Sequence, residues 1–172
     1  MRTLSLFLLA VLVALPAALH AQQPLVDFRN KDHITIIGNT LADRMQHDGW
    51  METLIQHRLP EKQLVFRNLA FPGDELDNRP RSENFGSPEQ WLTKTETDVV
   101  FAFFGYNESF ADAAGVEAFK GKLRTFIDQT LAANYSGRGN ARLVLFSPIA
   151  HENLKSRHLP DGSENNRRLA LY

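Results

Sequence analysis

Four apolar runs punctuate the chain, and three are followed by residues at helical spacing. The first, Ile34-Thr35-Ile36-Ile37, breaks off at Gly38-Asn39-Thr40, after which Leu41, Met45, Trp50, Leu54 and Leu59 recur near a 3.6-residue period. This predicts a buried strand over 33–37 and one helix over 41–58, weakened at Gly49 and ended by Leu59-Pro60. Gln63 to Asn68 reads as a second strand. A long polar stretch, Pro72 to Pro88, then gives way to Ser87-Pro88-Glu89-Gln90, a helix start with Ser as N-cap and Pro at the first helical position. Trp91 and Leu92 are expected to face the core from that short helix.

Asp98 to Phe104 is apolar on both faces, the pattern of a strand in a parallel sheet covered by helices on either side. Val116 to Ala133 follows as a helix, with Phe119, Leu123, Phe126, Ile127 and Leu131 as its apolar stripe. Gly137-Arg138-Gly139-Asn140 is a turn, Arg142 to Phe146 a fourth strand, and Ser163 to Tyr172 the opening of a further helix. Strand and helix alternate throughout, which predicts an α/β fold: a three-layer αβα sandwich with a mainly parallel sheet and right-handed crossovers. Such a domain normally returns with one more strand, so a last strand and helix are expected beyond Tyr172 and the chain is read as C-terminally incomplete.

Composition narrows the functional classes. The 172 residues suit one domain, and 43% hydrophobic and 23% charged residues are ordinary for a globular protein. A formal net charge of −1 leaves no electrostatic footprint for nucleic acid or anionic lipid. Cysteine is absent, which removes disulfides, thiolate metal sites and a cysteine nucleophile. At the N-terminus Arg2 precedes an apolar core from Leu6 to Leu15, a break at Pro16, and Ala21 before Gln22. Residues 1–21 therefore read as a secretory signal peptide, residues 22–32 as a polar lead-in, and residues 33–172 as the domain. The mature protein is expected to be exported, periplasmic or extracellular. A retained membrane anchor is the competing reading, but the run is short for a spanning helix.

In open α/β sheets ligands bind at the carboxyl ends of the strands. Three segments fall there: Gly38-Asn39-Thr40-Leu41, Pro72-Gly73-Asp74 and Gly105-Tyr106-Asn107-Glu108. In order and position they resemble the first three conserved blocks of the SGNH (GDSL-like) hydrolases, whose fold is flavodoxin-like. The resemblance implies that Thr40 stands at the nucleophile position and that Gly73 and Asn107 contribute to an oxyanion hole. It departs from the family pattern in Thr40 for Ser, Asn39 for Asp and Glu108 for Asp. The block Asp-x-x-His, which supplies the catalytic base in that family, is not in this chain.

Each residue also has a purely structural reading. Asn39 or Thr40 caps the following helix, contributing about 1 kcal/mol. Gly73 is a turn glycine with positive φ, and Asn107 closes an Asx turn. Glu108 is read as solvated, with acceptance of backbone N–H groups as its other role. Asp74, Glu75 and Asp77 are read as solvated loop carboxylates. Among the histidines only His151 follows a strand on the functional edge; a locally hydrogen-bonded loop residue is the preferred reading over a substitute base. No His-Glu-x-x-His, Asp-x-Asp or His cluster suggests a metal, and nothing demands a cofactor.

Two functions follow from the resemblance. One is ester hydrolysis by acyl transfer on a small-molecule, carbohydrate or lipid acyl ester. The other is a catalytically inactive domain binding a carbohydrate or acylated ligand. A third, a phosphate-holding Rossmann-like module, lacks both the Gly-x-Gly-x-x-Gly fingerprint and the P-loop lysine.

Overall fold

The computed structural model describes residues 26–172; the signal-peptide reading and the start of the lead-in lie outside the described residues. Four strands, β1 (His33–Gly38), β2 (Val65–Asn68), β3 (Val99–Phe103) and β4 (Arg142–Phe146), form one sheet in the order β2-β1-β3-β4. All neighbouring pairs are parallel, so the sheet is wholly rather than mainly parallel. Helices α1 (Thr40–Asp48), α2 (Trp50–Arg58), α3 (Pro88–Lys94), α4 (Asp112–Ala132) and α5 (Ser163–Leu169) complete the α/β fold.

Alternation along the strands divides the core in two. Ile34, Ile36, Val99, Phe101 and Phe103 face Met45 of α1 and Met51 and Ile55 of α2. Ile37, Val100 and Ala102 face Leu92 of α3 and Phe119, Leu123 and Phe126 of α4. A period of two sends successive side chains to opposite faces, so a strand apolar at every position needs cover on both. β3 is central, and all five of its residues are buried.

The single helix expected over 41–58 is two. Gly49 takes left-handed φ 58 and ψ 12, donates to Met45 O at 3.0 Å, and serves both as the end of α1 and as the start of α2. A left-handed residue resets the helical phase. The expected stripe therefore fails within α2, where Trp50 is 74% and Leu54 56% exposed while Met51 and Ile55 pack on the core; Leu59, at the end of α2, packs on the core as expected. The lead-in residues are docked as well as polar. Val26 and Phe28 pack against the first core cluster, and Asp32 is buried against Arg142, with oxygens at 2.8 and 2.6 Å from the guanidinium.

The stretch Pro72–Pro88 is folded over the end of the sheet and anchored by buried charge. Asp74 is 2% exposed and takes both of its bonds from Arg81, at 2.7 and 2.8 Å, which overturns its reading as solvated. α3 begins as expected, with Ser87 and Gln90 forming a reciprocal capping box and Leu92 buried, while Trp91 is half-buried. α5 packs back on the domain: Tyr172 donates to Asp112 O at 2.8 Å, and its ring lies 5.0 Å from that of Phe119.

Candidate functional site

The site begins at the β1–α1 elbow. Gly38 adopts φ +127, and a Cβ there would stand 2.1 Å from Phe103 O, so the elbow presses directly against β3. That contact lets Asn39 N donate to Phe103 O at 3.1 Å. Asn39 is buried and is the helix cap, its Oδ1 accepting the Leu41 N–H at 3.2 Å. Asn39, then, and not Thr40, satisfies the cap reading. Thr40 is exposed at the first position of α1, and its hydroxyl has no hydrogen-bond partner among the described residues.

The other two segments lock onto the elbow and onto each other. Phe71 N donates to Gly38 O at 3.0 Å, joining the second segment to the first. Gly73 is exposed with φ +89, in a turn closed by Asp74 N donating to Phe71 O at 3.2 Å. The turn-glycine reading describes that position. Asn107 does not form the expected Asx turn. It leads into a 3₁₀ turn, Glu108–Ala111, without a side-chain cap, and its Nδ2 instead donates to Asp74 O at 3.0 Å. Glu108 is not solvated: it is buried, with Oε2 accepting Gly105 N at 2.9 Å and Oε1 accepting Leu76 N at 3.0 Å. The loop-fixing role is the one it performs.

Thr40 opens onto a cleft of about 410 Å3 shared with Tyr106 and His151 and backed by Phe103, Phe104 and Phe146. Gly73 and Asn107 lie outside its lining, so the three segments are joined, by Phe71 N to Gly38 O and Asn107 Nδ2 to Asp74 O, without Thr40, Gly73 and Asn107 all facing one cavity. His151 is not bonded locally. Its Nε2 lies 3.2 Å from the Tyr106 hydroxyl and 3.3 Å from Asn165 Nδ2, and its ring stacks on Tyr106 at 5.8 Å. Tyr106 Oη and Asn165 Nδ2 together fix where the Nε2 edge of the imidazole points.

Two further contacts fix the histidine backbone. Asn166 Oδ1 accepts His151 N at 2.7 Å, and Asn166 Nδ2 donates to His151 O at 3.0 Å. Gly162 gives the room, because a Cβ there would stand 2.6 Å from His151 Cβ. Sequence reasoning did not single out Tyr106, Asn165 or Asn166. Tyr106 sits inside the third segment and could have been found there; nothing local marks the asparagines, which reach His151 only through the placement of α5.

Chemically, the cleft pairs an unencumbered hydroxyl at a helix N-terminus with an imidazole held in one orientation. The start of α1, whose Leu41 N–H is capped by Asn39, adds the partial positive end of the helix dipole beside Thr40. Among the described residues there is no group of three or more His, Cys, Asp or Glu arranged to hold a metal ion. No described helix is long and apolar enough to cross a membrane. Compared with family models, curated proteins and solved structures, the chain gives no significant match.

Proposed function

We propose that this chain is an SGNH-type ester-hydrolase domain, acting on a small-molecule or carbohydrate acyl ester held in the cleft between Thr40 and His151. One observation carries the reading: Thr40 is exposed, its hydroxyl has no partner among the described residues, and it lines the same cleft as an oriented imidazole. Acyl transfer needs a hydroxyl within reach of a base and donors for the developing oxyanion. The Thr40 N–H is the donor this reading assigns within the cleft; Asn107 Nδ2 and the Gly73 N–H, the donors that the family resemblance implies, lie outside its lining and serve only if the loop that carries Gly73 and the Asn107 turn close toward Thr40. The β-methyl of threonine restricts χ1 and slows attack relative to serine.

The test combines 4-nitrophenyl acetate turnover with fluorophosphonate labelling and peptide mapping. The reading expects the label on the peptide containing Thr40 and a loss of about 100-fold or more in turnover for Thr40→Ala. Wild-type turnover equal to that of Thr40→Ala, with no label, overturns it.

A second reading, an SGNH-like domain that binds an acylated or carbohydrate ligand without turnover, is favoured by a specific contact. His151 Nε2 lies within hydrogen-bond distance of Tyr106 Oη and Asn165 Nδ2, and among the described residues no hydrogen bond joins the imidazole to Thr40. Saturable binding of an acetylated sugar with no labelling of Thr40 would select it. Export of the protein is proposed from the Leu6–Leu15 run and is tested by N-terminal sequencing of the protein from its host, with Gln22 the expected first residue.

A further inference from the structure

A second cavity, of about 220 Å3, lies beneath the 72–88 loop beside the ends of β1 and β2. Its lining is mostly apolar, with Ile37, Leu69, Phe71, Phe85 and Trp91 among the side chains, and its charged members are Asp74, Arg81 and Arg79. Asp74 and Arg81 neutralise each other through two short bonds. Asn68 is satisfied too, its Nδ2 donating to Ala42 O and its Oδ1 accepting Ala70 N.

Arg79 is the exception. Its Nε donates to Glu75 O at 3.2 Å and its Nη2 to Leu76 O at 3.0 Å, while Nη1 has no partner among the described residues. No described carboxylate lies within 4 Å of it. The guanidinium is packed over the Phe104 ring at 4.9 Å and near that of Phe126 at 5.7 Å. Burial lowers its pKa from the usual arginine range, with Asp74 and Glu89 pulling the other way from a distance. Arg79 is half-buried, with two backbone carbonyls as its acceptors and Nη1 left open, so a carboxylate entering the cavity meets an unpaired edge of the guanidinium.

We propose that this cavity is a monocarboxylate site, in which Arg79 takes the carboxylate and the apolar lining takes the ring that bears it. The cavity holds one uncompensated positive charge, which matches a monoanion; a dianion would meet Asp74 on the same wall and Glu89 across Arg79. Guanidinium geometry suits a planar carboxylate, and two bonds to Arg79 would use the free Nη1. The volume fits a single ring, since an apolar cavity of roughly 150 Å3 already accepts benzene. Phe104 lines the Thr40 cleft and carries Arg79 on its ring, so the two cavities are neighbours without being one site.

The test is binding to the full chain, read by calorimetry and by the NMR signal of the Trp91 indole N–H, which is bonded to Phe85 O at the cavity rim. Benzoate and D-glucuronate are compared with their neutral counterparts benzamide and D-glucose, with phenyl phosphate as the dianion arm. At least one acid should bind tenfold or more tightly than its neutral counterpart and shift the Trp91 signal, and Arg79→Gln should abolish that preference while Arg79→Lys keeps part of it. Preference for benzoate points to an aromatic acid and preference for glucuronate to an acidic sugar. Acids that bind no better than neutral counterparts to the wild type, acids that leave Trp91 unmoved, or tighter binding of phenyl phosphate would each overturn the proposal. The readout is binding, so absence of ester turnover has no bearing on it.

Discussion

Glu108 holds Leu76 in place across a separation of 32 residues, its Oε1 accepting the Leu76 N–H at 3.0 Å inside the protein. The other oxygen accepts Gly105 N, so a single carboxylate ties the end of β3 to the loop that covers the sheet. Replacing it with an amide leaves one acceptor where two are needed and turns an NH2 group toward a backbone N–H. Glu108→Gln is therefore expected to destabilise the fold by about 1–3 kcal/mol. Urea denaturation measures the loss, and limited proteolysis should show new cleavage within 72–88.

Gly38 is the tightest point of the elbow. Its positive φ and the position of Phe103 O leave no space for a Cβ. Gly38→Ala should cost about 3 kcal/mol or more, because backbone strain and a backbone clash act together. Thermal unfolding checks this, and a variant as stable as the wild type would show that the elbow can open.

The split helix makes a paired prediction. Met51→Ala should destabilise by about 2 kcal/mol through lost packing, whereas Trp50→Ala should stay within about 0.5 kcal/mol because its ring is in solvent. Denaturation midpoints of the two variants decide whether the phase resets at Gly49. A continuous helix would reverse the order.

Asp112 sets a pH-dependent contact between α4 and α5. The Arg167 guanidinium, and then the Ala113 N–H, hold its carboxyl below the ordinary 3.8, down to about 2. A depressed carboxylate stabilises fully above its unfolded pKa and loses that contribution as pH falls through its folded value. The contact should thus persist above pH 3.8 and fade toward pH 2. Carboxyl NMR titration should place the midpoint near 2 and move it back toward 3.8 in Arg167→Ala.

The elements were largely legible because their signals are local. A strand apolar at every position must be covered on both faces, and β3 is central for that reason. Ser87, Pro88 and Gln90 marked the start of α3 because capping is completed within one turn. The apolar stripe over 41–58 misled because one left-handed residue changes which side chains share a face, and periodicity alone does not register that rotation.

The sequence by itself determined the α/β alternation, the β1–α1 elbow and the position of three polar segments at strand ends, since each follows from hydrophobic period and turn chemistry within a few residues. Only the tertiary structure decided which charges are buried and which polar groups meet. Asp74 and Glu108 look like loop carboxylates until Arg81 and two backbone N–H groups close around them. Tyr106 and His151 stand 45 residues apart, and their contact exists only because β4 lies beside β3 and α5 folds back to orient the imidazole. Desolvation and long-range hydrogen bonding depend on what the whole chain brings alongside a residue, and that is absent from any local window.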